Sequence, residues 1–167
     1  GGKPAYEPRG GQDGSGAVGV TVESAEQRGA WQQRLQLDGR KALHVSGVYR
    51  TEGVIGGGAM LRLTWLRGEA GWDFVSDVRL PLDASEDWAS FEEVFVAPPE
   101  AEAVAPELFN FFGIGTVWWD RVEIREATPQ EVARMAARRL DREPAEGEVN
   151  YSPAADSVSP TNPPAFV

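Results

Sequence analysis

With 167 residues, the chain has room for one domain and a tail, and at this size roughly two-thirds of the unfolded surface is buried on folding. Its 16 Lys and Arg stand against 26 Asp and Glu, a net charge of −10, which repels polyanions and excludes nucleic acid or a bare anionic membrane as a general partner. With no Cys and a single His, His44, disulfides, thiolate zinc sites, a Cys nucleophile and machinery built on several imidazoles are excluded.

In chain order, residues 1–16 (GGKPAYEPRGGQDGSG) are rich in Gly and read as a loop, and a start without Met suggests a processed or truncated chain. No stretch approaches the ~18 consecutive apolar residues of a membrane helix. From 17 to 127 the apolar residues alternate with period two in short runs separated by Gly, Asp or Pro, the rhythm of antiparallel strands and turns. The runs predict eight strands near 17–23, 31–37, 42–51, 59–66, 74–80, 88–97, 104–112 and 116–125. The fold expected is all-β: a two-sheet antiparallel jelly-roll sandwich, with one C-terminal α-helix and a disordered Pro-rich tail. Asp38-Gly39 tolerates positive φ and signals a hairpin turn.

At Thr128 the pattern changes. Thr128-Pro129-Gln130-Glu131 combines a capping hydroxyl, a proline at the first helical position and a Glu three residues after the cap, predicting a linker helix over 128–142. Val132, Met135, Ala136 and Leu140 form its apolar stripe, and Arg138, Arg139 and Arg142 suit the negative end of the helix dipole. It reads either as a solvated linker or as an element that docks on an acidic neighbour. Residues 143–167 read as a Pro-rich linker, and Asn150-Tyr151-Ser152 is a glycosylation sequon in form only.

From Ser15 to Glu126 the order of features resembles the carbohydrate-binding modules of the family 4/9 type, within the galactose-binding-domain-like group. The likeness rests on Ser15-Gly16, Trp31-Gln32-Gln33, ALHVSGVYRT, Asp87-Trp88 before FEEVFVAPP, and Gly115-Thr-Val-Trp-Trp-Asp120-Arg-Val-Glu-Ile. It implies a non-catalytic accessory module, extracellular or periplasmic, that binds a polysaccharide or oligosaccharide and sits beside a catalytic domain in the same chain. The alternative is a structural jelly roll that packs against that neighbour and binds no glycan. The closing SPTNPPAFV is similar to the segment before the catalytic part of some heparinase II/III-like polysaccharide lyases. No cofactor is required, but the resemblance allows a structural calcium with Asp120 as ligand. One carboxylate is short of the six or more oxygens a hard cation takes, and Asp120 reads better as a buried Asp hydrogen-bonding backbone amides at a strand bend.

A sugar offers an apolar C–H face and a ring of hydroxyls, so its site needs an aromatic plane beside fixed polar side chains. Strand parity puts Leu43, Val45, Tyr49, Leu61, Leu63 and Trp65 inward and leaves His44, Ser46, Arg50, Arg62 and Thr64 as one outer polar row. The row reads either as donors for hydroxyls and uronate carboxylates or as a solvated sheet face. A bulge near Asp120-Arg121 would place Val117, Trp119, Val122 and Ile124 inward and Trp118 outward. Trp118 is then the first platform candidate, against an edge residue covered by a loop. Trp72, in the turn RGEAGWD, is the second, against a Trp folded back on the core. The acidic residues near 83–87 and 92–93 show no spacing that marks a glycosidase pair.

Overall fold

The computed structural model describes residues 1–68 and 72–140. Eight strands follow one another: β1 (Lys3–Glu7), β2 (Ala17–Val22), β3 (Arg28–Gln32), β4 (Leu35–Gln36), β5 (Ala42–Arg67), β6 (Asp73–Pro81), β7 (Ala89–Val96) and β8 (Ala103–Glu126). A single helix, α1 (Pro129–Leu140), ends the described chain. All pairings are antiparallel.

The runs expected as separate strands at 42–51 and 59–66 are the two halves of β5, and those at 104–112 and 116–125 are the two halves of β8. β5 and β8 pair along nearly their whole length, from Leu43 opposite Glu126 to Leu66 opposite Ala103. This ribbon folds over at its middle, where Gly53 and Gly56 on β5 and Phe112 and Gly115 on β8 have positive φ. A Cβ on Gly57 would stand 1.8 Å from the Phe111 carbonyl oxygen, so only glycine permits the strands to meet this closely at the bend. Asn110, fully buried, clamps the turn by donating from Nδ2 to the carbonyls of Val20 (3.2 Å) and Gly115 (3.0 Å).

The fold-over makes two layers. In the first, residues 42–52 and 116–126 of the ribbon are flanked by β7 on one side and by β2, then β1, on the other. In the second, residues 58–67 and 103–111 are flanked by β6 and by β3 with β4. The inward side chains meet in one core: Val45, Tyr49, Phe91, Val117 and Trp119 from the first layer and Leu61, Leu63, Trp65 and Val104 from the second. Burial of each such side chain contributes about 1.5–3 kcal/mol. Phe91 packs edge-on to Trp119 at 5.8 Å, and Tyr49 lies 5.9 Å from the same indole while its hydroxyl donates to the Asp83 carbonyl at 2.7 Å. The all-β jelly-roll sandwich with one C-terminal helix is thus the architecture.

Two local expectations change. Residues 1–16 are not all loop: Lys3–Glu7 adds β1 to β2, since Val18 and Val20 already present a strand edge, and a 3-10 turn at Gln12–Gly14 follows. Asp38 and Gly39 do adopt positive φ, and the Arg40 amide closes the turn on Leu37 at 2.9 Å. The strands it joins do not form a hairpin, because β4 pairs with β8 in the second layer while β5 begins in the first. The expected helix is present from Pro129 to Leu140, where the described residues stop, and residues 141–142 and the Pro-rich segment with its sequon lie outside them.

Candidate functional site

The single outer row expected along β5 is divided by the fold-over. His44, Ser46 and Arg50 face outward from the first layer, whereas Arg62 and Thr64 face outward from the second, on the opposite side of the sandwich. Period two holds within each half, but the two halves belong to different sheets.

On the first layer, α1 closes one end of the outer face. Val132 and Met135 pack on Ala42, Val94 and Ala127, and His44 beneath them is only 6% exposed, its Nε2 3.0 Å from Glu92 Oε1. His44 is therefore a covered residue holding the helix seat and does not reach a ligand. Trp118 is outward as parity required, yet it is 6% exposed. Its ring lies against Gly19, where a Cβ would stand 2.7 Å from the indole, and its Nε1 donates to Glu52 at 3.0 Å. Glycine on the neighbouring strand lets the indole lie flat on the sheet. Trp118 is floor and not platform, and Arg50 lies above it. The Arg50 guanidinium sits 5.7 Å from the Trp118 ring and 5.5 Å from that of Trp88, a stacked arrangement that uses up the indole faces.

Asp120 is 7% exposed and fully engaged. Its Oδ2 accepts from the Gln12 amide (2.9 Å) and the Ser15 hydroxyl (2.6 Å), and its Oδ1 accepts from the Arg121 amide (2.7 Å). The Arg121 side chain pairs with Asp13 across the same loop. Hydrogen-bond donors and a guanidinium thus occupy the positions that calcium ligands would need to leave for the cation. The residues present do not fit a hard dication, and among the described residues no three His, Cys, Asp or Glu side chains converge.

The outer face of the second layer carries no helix among the described residues. At its centre Glu107, with a side chain only 8% exposed, accepts from Arg62 through Nε (2.5 Å) and Nη2 (2.8 Å) and from the Thr64 hydroxyl (3.0 Å). The bidentate pair fixes the guanidinium in one plane, and its carbon stacks 4.9 Å from the Phe109 ring. The hydrogen bond to Glu107 pushes the Arg62 pKa up, so the arginine stays charged. Cross-strand register places Arg79 beside Arg62 and Asp77 beside Thr64, with Arg79 Nε donating to Asp77 at 3.0 Å. Two exposed aromatics lie at one end: Trp72, 59% exposed, and Phe74, 63% exposed, across from Leu66. Arg34, from the β3–β4 connection at the far edge of the layer, stacks 5.9 Å from Trp72, so the two bridge the end of the sheet.

Of the residues singled out from sequence, Arg62 and Trp72 share this face, Trp118 and Arg50 share the other, and His44 and Asp120 are structural anchors. Glu107, Phe74 and Arg34 were missed. The alternation Ala103, Ala105, Glu107, Phe109 carried the signal for Glu107, since its parity is that of the outward side chains.

No family model and no curated protein matches the chain. Solved structures do. The enzymatically active domain of tailspike protein 4 of bacteriophage CBA120 aligns with a TM-score of 0.60 at 9% identity, over 74% of this chain and 17% of that one. The N-terminal CBM22-1–GH10 modules of the Clostridium thermocellum xylanase 10B, solved with xylohexaose, align at 0.55 and 15% identity over 77% and 25%. The CBM22-1 xylan-binding domain of Paenibacillus barcinonensis Xyn10C aligns at 0.51 and 14% identity over 77% and 84%. The chain spans a quarter or less of the first two. The likeness establishes the fold, which is that of carbohydrate-binding modules.

Proposed function

We propose that the chain is a non-catalytic carbohydrate-binding module that lays a polysaccharide across the outer face of the second layer. The observation that carries this is a sheet face with two exposed aromatic rings at one end, Trp72 and Phe74, beside ordered polar side chains in Arg62, Thr64 and Arg79. The rings suit the C–H face of a pyranose, and the array meets hydroxyls with side chains that are already ordered, which reduces the entropy lost on binding. Arg79, exposed and tied to Asp77 through Nε alone, also suits a uronate carboxylate. On this reading the protein works where polysaccharides are met, outside the cytoplasm, and holds a polysaccharide-degrading enzyme in the same chain on its substrate. SPTNPPAFV favours a lyase of the heparinase II/III-like kind as that neighbour.

Affinity electrophoresis and calorimetry against acidic and neutral polysaccharides test the reading. Trp72→Ala and Phe74→Ala should each weaken binding by about 2 kcal/mol, roughly 30-fold, with the fold intact, and reducing-end and 235 nm assays should show no turnover. A panel in which nothing binds, or binding untouched by both variants, overturns it. In that event the face serves to pack against a neighbouring domain, as α1 already does on the first layer.

A further inference from the structure

One apolar recess opens between the two layers, away from both outer faces. β2 covers β8 only from Gly115 to Trp119, and β3 covers it only from Glu107 to Phe111. Beyond these limits no described strand flanks β8 in the first layer and only the two residues of β4 do so in the second, so inward side chains between them reach solvent. The result is a groove of about 360 Å³ whose floor is Leu35, Pro106, Leu108, Val122 and Ile124. Trp31 forms one wall. It is 37% exposed, and its Nε1 is tied to the Gly19 carbonyl at 2.9 Å, so the ring is held in one orientation. The exposed amides of Gln32 and Gln33 stand at the rim.

We infer that this edge groove is a second binding site, specific for a neutral saccharide of one or two rings. Its volume falls within the ~300–1,000 Å³ of small-ligand sites. None of its lining side chains is ionisable, and the whole chain carries −10, so an anionic ligand would meet no compensating cation and an unfavourable field. A purely apolar ligand would leave the amides unused, whereas each primary amide presents a donor and an acceptor side by side, the pattern that a pair of neighbouring hydroxyls satisfies. The indole and aliphatic floor take the C–H face. This site is independent of the outer face proposed above, since the groove and Trp72 have no lining residue in common.

The test uses cellobiose, xylobiose, mannobiose and laminaribiose as probes, with an aldobiouronic acid as the charged control, read by ¹H–¹⁵N spectra of the whole chain. At least one neutral disaccharide should shift the Trp31 indole and the Gln32 and Gln33 side-chain amides, and the acid should shift them at least tenfold less readily. Gln33→Ala, at an exposed rim position, should weaken this binding five- to tenfold. Val122→Trp should fill the groove and abolish it in a protein whose spectrum remains dispersed. Trp72→Ala should leave it unchanged. If no neutral disaccharide shifts these signals, or the shifts survive Val122→Trp, the groove assignment is overturned, while polysaccharide binding lost in Trp72→Ala would still stand for the outer face.

Discussion

Two indoles that look alike in the sequence play different parts, and the difference lies in what the next strand offers. Trp118 faces outward but meets Gly19, so it lies down and is covered; Trp72 stands just before β6 and is 59% exposed. Period two predicts which side of a sheet a residue takes and says nothing of what sits on top of it. Trp118→Ala should therefore cost stability, about 3–5 kcal/mol as for a large buried side chain removed, and leave polysaccharide affinity of the folded protein unchanged. Urea denaturation beside calorimetry at a temperature where both proteins are folded separates the two. A variant that keeps its stability and loses affinity would return Trp118 to the binding surface. Glu107 shows the converse limit: its parity was readable, but its pairing with Arg62 depends on β5 and β8 lying in register, which no local pattern encodes.

Elements with local grammar were legible. The helix was readable because its start is written in four residues: the Thr128 hydroxyl accepts from the Glu131 amide at 3.2 Å, and the Glu131 carboxylate accepts from the Thr128 amide at 2.9 Å. What it docks on was not readable, since that depends on Ala42 and Val94 from distant strands. The seat is lined with charge: Glu92 meets His44 and Arg134, Glu93 meets Arg139, and Glu131 meets Arg125. The hydrogen bond to His44, with Arg134 behind it, holds the Glu92 carboxyl below its usual range, and the Arg125 pair with the Thr128 amide does the same for Glu131. A carboxylate with a depressed folded pKa contributes its full stabilisation above the unfolded value, about 4.3, and loses it as pH falls below that. The helix should hold its place from neutral pH down to about pH 4.3 and loosen in stronger acid, ahead of the strands. Protection factors of α1 amides against those of β5 measure this, and Glu92→Gln should flatten the dependence. Equal acid sensitivity of helix and core strands would count against the latch.

At the scale of the whole molecule, alternating runs were enough for the two layers and their shared core, because any set of such strands buries its apolar sides against a second sheet. The fold-over of the β5–β8 ribbon was not, since the glycines that permit it resemble ordinary loop glycines, and with it went the expectation of one continuous polar face. The same geometry bears on how the sandwich is closed at its amino-terminal side. The 11–15 loop is tied to β8 through Asp120, which takes three donors, and through the Arg121–Asp13 pair. A cation would have to displace those donors, so a chelator should leave the melting temperature where it is. Asp120→Ala should lower stability by about 2–4 kcal/mol, because it leaves the Gln12 and Arg121 amides without their acceptor. Asp120→Asn, which can accept but adds unwanted donors, should recover only part of this. A melting temperature that falls on treatment with EDTA and returns with added calcium would mean that the loop rearranges around a metal, and the hydrogen-bonded anchor would have to be abandoned.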